Sequence, residues 1–229
     1  MNETLQLQAG DGQRLSAYLT RPAGEVKGGV VIVQEIFGVN QHIRSVADSY
    51  AKEGYVAIAP ALFDRIEPGV ELNYGGEDMQ RAFELYGKLE PEKALLDVAT
   101  AFEHIANEGA GVGIVGFCYG GFMAWLSATR GTQVGISPKC AVGYYAGGIG
   151  KVATETPACP VMLHFGAEDS HIGMDQVNAV RNAHPEVQVF VYENAGHAFN
   201  RDIDPKSFAP GAAKLARERT LQFLSENLR

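Results

Sequence analysis

The chain has 229 residues, 46% of them hydrophobic and 20% charged, with 27 glycines and 10 prolines. This is the composition of a turn-rich globular protein, read as a single domain over residues 1–229, and it excludes a disordered or collagen-like chain. A formal charge of −8, no local run of Lys and Arg and no window of eighteen uninterrupted apolar residues predict neither a nucleic-acid partner nor a membrane span.

Met1 to Asp11 show no basic stretch followed by an apolar run. The three cysteines, Cys118, Cys140 and Cys159, cannot all pair within the chain and lack metal-like spacing. A reducing, cytoplasmic setting is the expectation. The six histidines form no His-x-x-x-His pair, and no Gly-x-Gly-x-x-Gly follows the first buried strand, so no metal, nicotinamide or other cofactor is expected.

Two short strands joined by a turn open the chain, with Leu5 and Leu7 before Ala9-Gly10-Asp11-Gly12 and Leu15, Ala17 and Leu19 after it. Gly28 to Gln34 contains the β-branched run Val30-Val31-Ile32-Val33 without a polar face, the mark of a strand covered on both sides. Asn40 is placed to cap a helix carrying Ile43, Val46, Ala47, Tyr50 and Ala51, which Gly54 ends. Tyr55 to Pro60 is a second buried strand, completing the unit from which parallel sheets are built.

Ala61 to Gly76 has little periodicity. Helical spacing returns at Asp78 to Leu89 and at Glu92 to Asn107, where Leu95, Val98, Phe102 and Ile105 share one face. The alternation then resumes: a strand at Gly113 to Phe117, a helix from Tyr119 to about Thr129, and strands at Ala141 to Tyr145 and Val161 to Phe165. A helix at Met174 to Ala183, a strand at Gln188 to Tyr192 and a helix at Ala212 to Leu228 follow. The expected fold class is α/β, a mostly parallel sheet flanked by helices on both faces.

The most informative stretch is Gly116-Phe117-Cys118-Tyr119-Gly120, where an apolar strand runs directly into a helix. That is the setting of a nucleophile elbow, in which small residues permit a sharp turn and expose the central side chain. Cys118 stands where this pattern normally has serine, and a thiolate there would attack carbonyl carbon. The alternative, a buried cysteine acting as a small hydrophobe, leaves the flanking glycines unexplained.

Asp169 follows the strand at Val161 and His197 follows the strand at Gln188, both at the carboxyl edge where such sheets collect their sites. The order nucleophile, acid, histidine is that of the α/β-hydrolase triad. Glu168 competes with Asp169 for the acid. His164 reads as a structural strand residue, and His171 lies too near Asp169 to be the base.

Together with Gln34-Glu35-Ile36-Phe37-Gly38-Val39-Asn40 and Gly196-His197-Ala198-Phe199, the elbow resembles the dienelactone hydrolase family, or carboxymethylenebutenolidases, of the α/β-hydrolase superfamily, over nearly the whole chain. The resemblance implies that Cys118 attacks a lactone carbonyl, His197 handles the proton and Asp169 orients it. It further implies that the N–H groups of Tyr119 and Ile36 form the oxyanion hole and that Glu35 helps to generate the thiolate. Arg201 matches an arginine that pairs with this glutamate and helps to hold a substrate carboxylate. It also implies a small-molecule lactone or ester as substrate, above all a carboxylate-bearing dienelactone of aromatic catabolism; a monomer that needs no cofactor is the expectation.

Phe83 and Tyr86 match a pair of pocket aromatics. The arginine expected four residues before Phe83 is replaced by Met79, and Arg81 lies two residues on, about 200° around a helix; it is carried as a substrate-binding candidate. Tyr144 and Tyr145 are two further candidates for a hydroxyl contact. The competing readings are a general small-ester or thioester hydrolase with the same triad, and a non-catalytic thiol sensor or binding module.

Overall fold

The computed structural model describes residues 2–228. Strands β1 (Asn2–Gln8) and β2 (Arg14–Thr20) pair antiparallel, with Leu5 opposite Ala17 and Leu7 opposite Leu15. A second antiparallel pairing joins β2 to β4 (Tyr55–Pro60). All other ladders are parallel and involve β3 (Gly28–Val33), β4, β5 (Val112–Phe117), β6 (Cys140–Tyr144), β7 (Val161–Gly166) and β8 (Gln188–Tyr192). The resulting sheet has eight strands in the order β1-β2-β4-β3-β5-β6-β7-β8.

Every residue of β3, β4, β5, β6 and β7 is buried, so apolar runs without alternation are the physical requirement of these strands. Each Val, Leu or Ile withdrawn from water there contributes roughly 1.5–3 kcal/mol. Helices α1 (Gln41–Lys52) and α6 (Pro210–Asn227) cover one face. Helices α3 (Pro91–Ile105) and α4 (Tyr119–Arg130) pack together on the other, with α5 (Met174–Ala183) on the same side. Asn40 caps α1 as anticipated, its Oδ1 accepting from Ile43 N–H at 3.2 Å.

The aperiodic stretch after β4 is ordered by polar side chains. Asp64 accepts from the N–H of Ser16 at 2.7 Å and of Gly69 at 3.0 Å. Arg65 bridges Asp97 on α3, at 2.6 Å from Nε, and Asp11 in the first turn, at 2.7 Å from Nη1. This stretch leads into α2 (Gly76–Tyr86), which carries the aromatic candidates to the carboxyl edge of the sheet.

Strand order reverses at β3, which has β4 on one side and β5 on the other. A crevice opens above such a reversal, and ligands of open α/β sheets bind there. The loop after β3 and the turn after β5 meet at this point.

Candidate active site

Cys118 occupies the turn between β5 and α4 with φ 53° and ψ −114°, a conformation that costs a non-glycine residue of order 1–3 kcal/mol. The two glycines of the elbow explain how the turn is tolerated. A Cβ on Gly116 would fall 1.8 Å from the carbonyl oxygen of Gly120, and one on Gly120 would fall 2.1 Å from that of Val33. Backbone therefore touches backbone on both sides of the cysteine. The Cys118 N–H donates to Tyr144 O at 3.0 Å, tying the turn to β6.

His197 Nε2 lies 3.2 Å from Cys118 Sγ, and His197 Nδ1 lies 2.8 Å from Asp169 Oδ2. The Asp169 carboxylate is fully buried, and its other oxygen accepts from the N–H groups of His171 and Ile172 at 2.8 and 3.1 Å. The two loops that present this pair are laced together: Ala167 N–H donates to Tyr192 O and Glu168 N–H to Ala195 O, each at 2.9 Å. Burial disfavours a charged His197, but hydrogen bonds to Asp169 and Cys118 and their negative charges outweigh it and raise the imidazole to about 10. Asp169, not Glu168, thus faces the histidine, and His171 stands edge-on to it at 5.0 Å.

Glu35, in the loop just after β3, is 1% exposed and engaged by Arg201 through Nε at 3.2 Å and Nη2 at 2.9 Å. Burial opposes its charge, but Arg201 overrides burial and holds the carboxyl below its ordinary range. Tyr74 Oη donates to Glu35 Oε2 at 3.0 Å, while its ring lies 3.9 Å beneath the Arg201 guanidinium. Arg201 Nη1 turns to Asp204 at 3.3 Å. All three nitrogens of this arginine are therefore engaged.

These groups border a cavity of about 790 Å³. Its lining includes Ile36, Phe83, Tyr86, Cys118, Tyr119, His197 and Arg201, with Tyr74, Met79, Lys206 and Phe208 beside them. The N–H groups of Ile36 and Tyr119 have no hydrogen-bond acceptor among the described residues. Tyr86 packs edge-on against Tyr119 at 5.4 Å.

Three sequence candidates are not brought to the cavity. Arg81 turns away on α2, ion-paired with Glu67 and with Glu84 at 3.2 Å, because the two-residue offset from Met79 points it to the helix's outer side. Tyr144, the last residue of β6, faces α6 and bonds Thr220 Oγ1 at 2.7 Å. Tyr145 has already left the strand with φ 37°, and its buried ring packs against His197 at 5.1 Å and Phe199 at 5.4 Å, behind the histidine.

His164 is structural: its ring nitrogens meet Tyr192 Oη at 2.8 Å and Thr220 Oγ1 at 3.1 Å, and burial with the nearby Arg219 charge lowers it to about 3. Tyr74 and Lys206 were not singled out from sequence. Tyr74 lies in the aperiodic stretch and Lys206 in a loop, where no periodic signal marks a wall of the site. Among the described residues no group of three or more His, Cys, Asp or Glu is arranged to hold a metal ion. No described helix is long and apolar enough to cross a membrane.

An eight-stranded, mostly parallel sheet with helices on both faces, a strained turn after the fifth strand, and acid and histidine loops after the seventh and eighth together define an α/β-hydrolase fold. The sequence profile of the dienelactone hydrolase family matches residues 15–228. A carboxymethylenebutenolidase of Pseudomonas putida is 32% identical, with 98% of this chain and 97% of the relative aligned. Carboxymethylenebutenolidase 1 of Cupriavidus pinatubonensis is 28% identical over 98% and 97%. The crystal structure of a provisionally named dienelactone hydrolase from Klebsiella pneumoniae superposes with a TM-score of 0.81 at 29% identity, covering 98% of this chain and 99% of that one. The chain belongs to the dienelactone hydrolase family, and is a hydrolase of the α/β type acting on small lactones or esters.

Proposed function

We propose that the protein opens a carboxylate-bearing dienelactone by attack of the Cys118 thiolate on the lactone carbonyl. The observation that carries this reading is the continuous contact from Cys118 Sγ to His197, 3.2 Å, and on to Asp169, 2.8 Å, at the tip of a strained turn. An imidazolium at His197 is favoured by its raised pKa, and it stabilises a neighbouring thiolate by charge. Sulfur bonds to the carbonyl carbon, and the carbonyl oxygen gathers negative charge beside the N–H groups of Tyr119 and Ile36. Collapse breaks the ring C–O bond, and the leaving oxygen takes the proton from His197. Water then attacks the thioester while His197 accepts its proton, the acid is released, and the thiolate is regenerated. Glu35 enters as a carboxylate near the site that is held by Arg201 and Tyr74 in this geometry; a shift toward Cys118 would help to deprotonate it.

Two observations favour a second reading, a general small-ester or thioester hydrolase with the same triad. Arg81 points away from the cavity, and every nitrogen of Arg201 already meets a carboxylate. One experiment addresses the nucleophile in both. The protein is mixed with excess dienelactone or p-nitrophenyl acetate, quenched in milliseconds and analysed by intact and peptide mass spectrometry. An acyl adduct on the Cys118 peptide that decays with turnover is the expected result, and Cys118→Ala should be folded and inactive. Full turnover by that variant would overturn the assignment.

A further inference from the structure

We infer that a second cavity, in the seam between α1 and α6, is a binding site for a small oxyanion. It has a volume of about 230 Å³ and a floor formed by Phe117 and Tyr144 at the carboxyl ends of β5 and β6. His42, Ser49 and Tyr50 line it from one stripe of α1, and Ala213 and Arg217 from one stripe of α6. Large apolar side chains ordinarily close a seam between packed helices. Here the small Ser49 and Ala213 leave it open. The loop after β8 turns Asn200 and Asp202 to this side, while Arg201 between them turns to Glu35. Two neighbouring cavities are thus built on one loop, and the reaction described above uses only the other.

Polar groups at this cavity lack the partners that burial demands. Tyr50 Oη and both ring nitrogens of His42 make no hydrogen bond among the described residues, on side chains that are 1% and 2% exposed. Buried polar groups left unpaired are costly, and each asks what it meets. Asp202 Oδ1 stands 3.3 Å from His42 Nδ1 without completing a hydrogen bond, so the carboxylate at the rim is directed to the imidazole. The Arg217 guanidinium lies 3.7 Å over the Tyr50 ring and has no ion pair among the described residues. Its planar fork of N–H groups matches two oxygens of one anion. Water can occupy a polar cavity of this size, but an oxyanion meets the charge of Arg217 and supplies an acceptor for the Tyr50 hydroxyl and the Asn200 amide together. The volume suits phosphate or a short carboxylate, held by the arginine from α6 and the tyrosine from α1.

The test titrates inorganic phosphate, and separately acetate, into the whole protein in chloride buffer, reading heat by calorimetry and Tm by thermal unfolding. Phosphate should bind once per chain and raise Tm. A matching response to acetate assigns the site to small oxyanions in general, and its absence assigns it to the tetrahedral form. Arg217→Met should weaken binding at least about tenfold, the loss of a charge-assisted contact, while Arg217→Lys should retain part of it. Tyr50→Phe removes one oxygen and no packing, and should weaken binding about threefold to tenfold. Two controls lie in the other cavity: Lys206→Met and alkylation of Cys118 with iodoacetamide should both leave phosphate binding unchanged. Failure of phosphate to bind overturns the inference and leaves the cavity to water. Undiminished binding in both Arg217→Met and Tyr50→Phe, or loss of binding in either control, overturns it equally by placing the anion elsewhere.

Discussion

Replacing Arg201 with methionine tests whether the buried Glu35 carboxylate depends on one partner. The side chains are 7% and 1% exposed, the contacts are 2.9 and 3.2 Å, and the guanidinium lies 3.9 Å over the Tyr74 ring. Breaking a buried pair by deleting one member costs about 3–5 kcal/mol, and the lost cation–aromatic contact adds about 1–2 kcal/mol. Glu35 can limit the damage by binding a proton. From an ordinary value near 4.3, neutralisation at pH 7 costs about 4 kcal/mol, and at pH 5 only about 1 kcal/mol. The sign follows: without Arg201 the folded pKa of Glu35 rises above its unfolded value, so the penalty is small below about pH 4.5 and grows as pH increases. In the unmodified protein Glu35 is held low, so its contribution is present above the unfolded value and lost as pH falls through the folded one. Urea unfolding of both proteins at pH 5, 7 and 8 should show a gap that widens with pH, corresponding at neutral pH to roughly 10–20 °C in Tm for a domain of this size. Glu35→Gln, which leaves Arg201 with Asp204 and removes the charge, should cost only about 1–2 kcal/mol and show no such widening. A pH-independent gap, or a loss below about 1 kcal/mol for Arg201→Met, would refute the reasoning.

Gly120→Ala places a Cβ 2.1 Å from Val33 O and 2.6 Å from Gln34 O, both backbone, so a loss of about 3 kcal/mol or more is expected in thermal melts. A Tm within experimental error of the unmodified protein would contradict it. Asp169→Asn removes a charge that raises His197, so the imidazole should titrate well below its value of about 10 in carbon-13 NMR of labelled histidine, with kcat reduced by up to about 10⁴-fold. Because the folded His197 value lies above the ordinary 6.5, its contribution to stability is complete below pH 6.5 and lost as pH rises through about 10. His197→Gln should therefore flatten the fall in unfolding free energy between pH 7 and 10.

The parts of the fold legible in the sequence are those where a chemical necessity has a local signature. A strand covered on both faces must be apolar at every position, and Val30 to Val33 are; a helix start with an unsatisfied N–H favours Asn, and Asn40 supplies it. Cys118 and Asp169 could be singled out because each follows such a strand, and His197 because it follows β8, whose run from Val189 to Tyr192 is apolar though only partly buried. The error at Tyr144 and Tyr145 is one of boundary. A single residue decides which face a side chain meets, and the strand ends at Tyr144, not Tyr145. Arg81 failed by helical phase, and the 200° offset noted in the sequence is what the structure displays. Tyr74 and Lys206 had no signature, since their places at the cavity are set by contacts with Glu35 and Asp204, made across 39 residues in one case and by a local loop turn in the other.

The strand order supplies what those local signals could not, namely how Cys118 is placed beside the loop after β3. Because β3 lies next to β5, the backbone at Gly120 reaches Val33 and Gln34 with no room for a methyl group. Glu35 and Ile36 follow directly, so one backbone contact sets the Cys118 thiol, the Ile36 N–H and the buried Glu35 carboxylate in a common frame. Arg201 then closes that frame from the far end of the chain, reaching Glu35 across 166 residues of sequence. Rigidity at the glycine contact and charge at the arginine contact are separable. A Gly120 variant should therefore damage folding at all pH values, whereas an Arg201 variant should damage it in proportion to how strongly pH keeps Glu35 ionised.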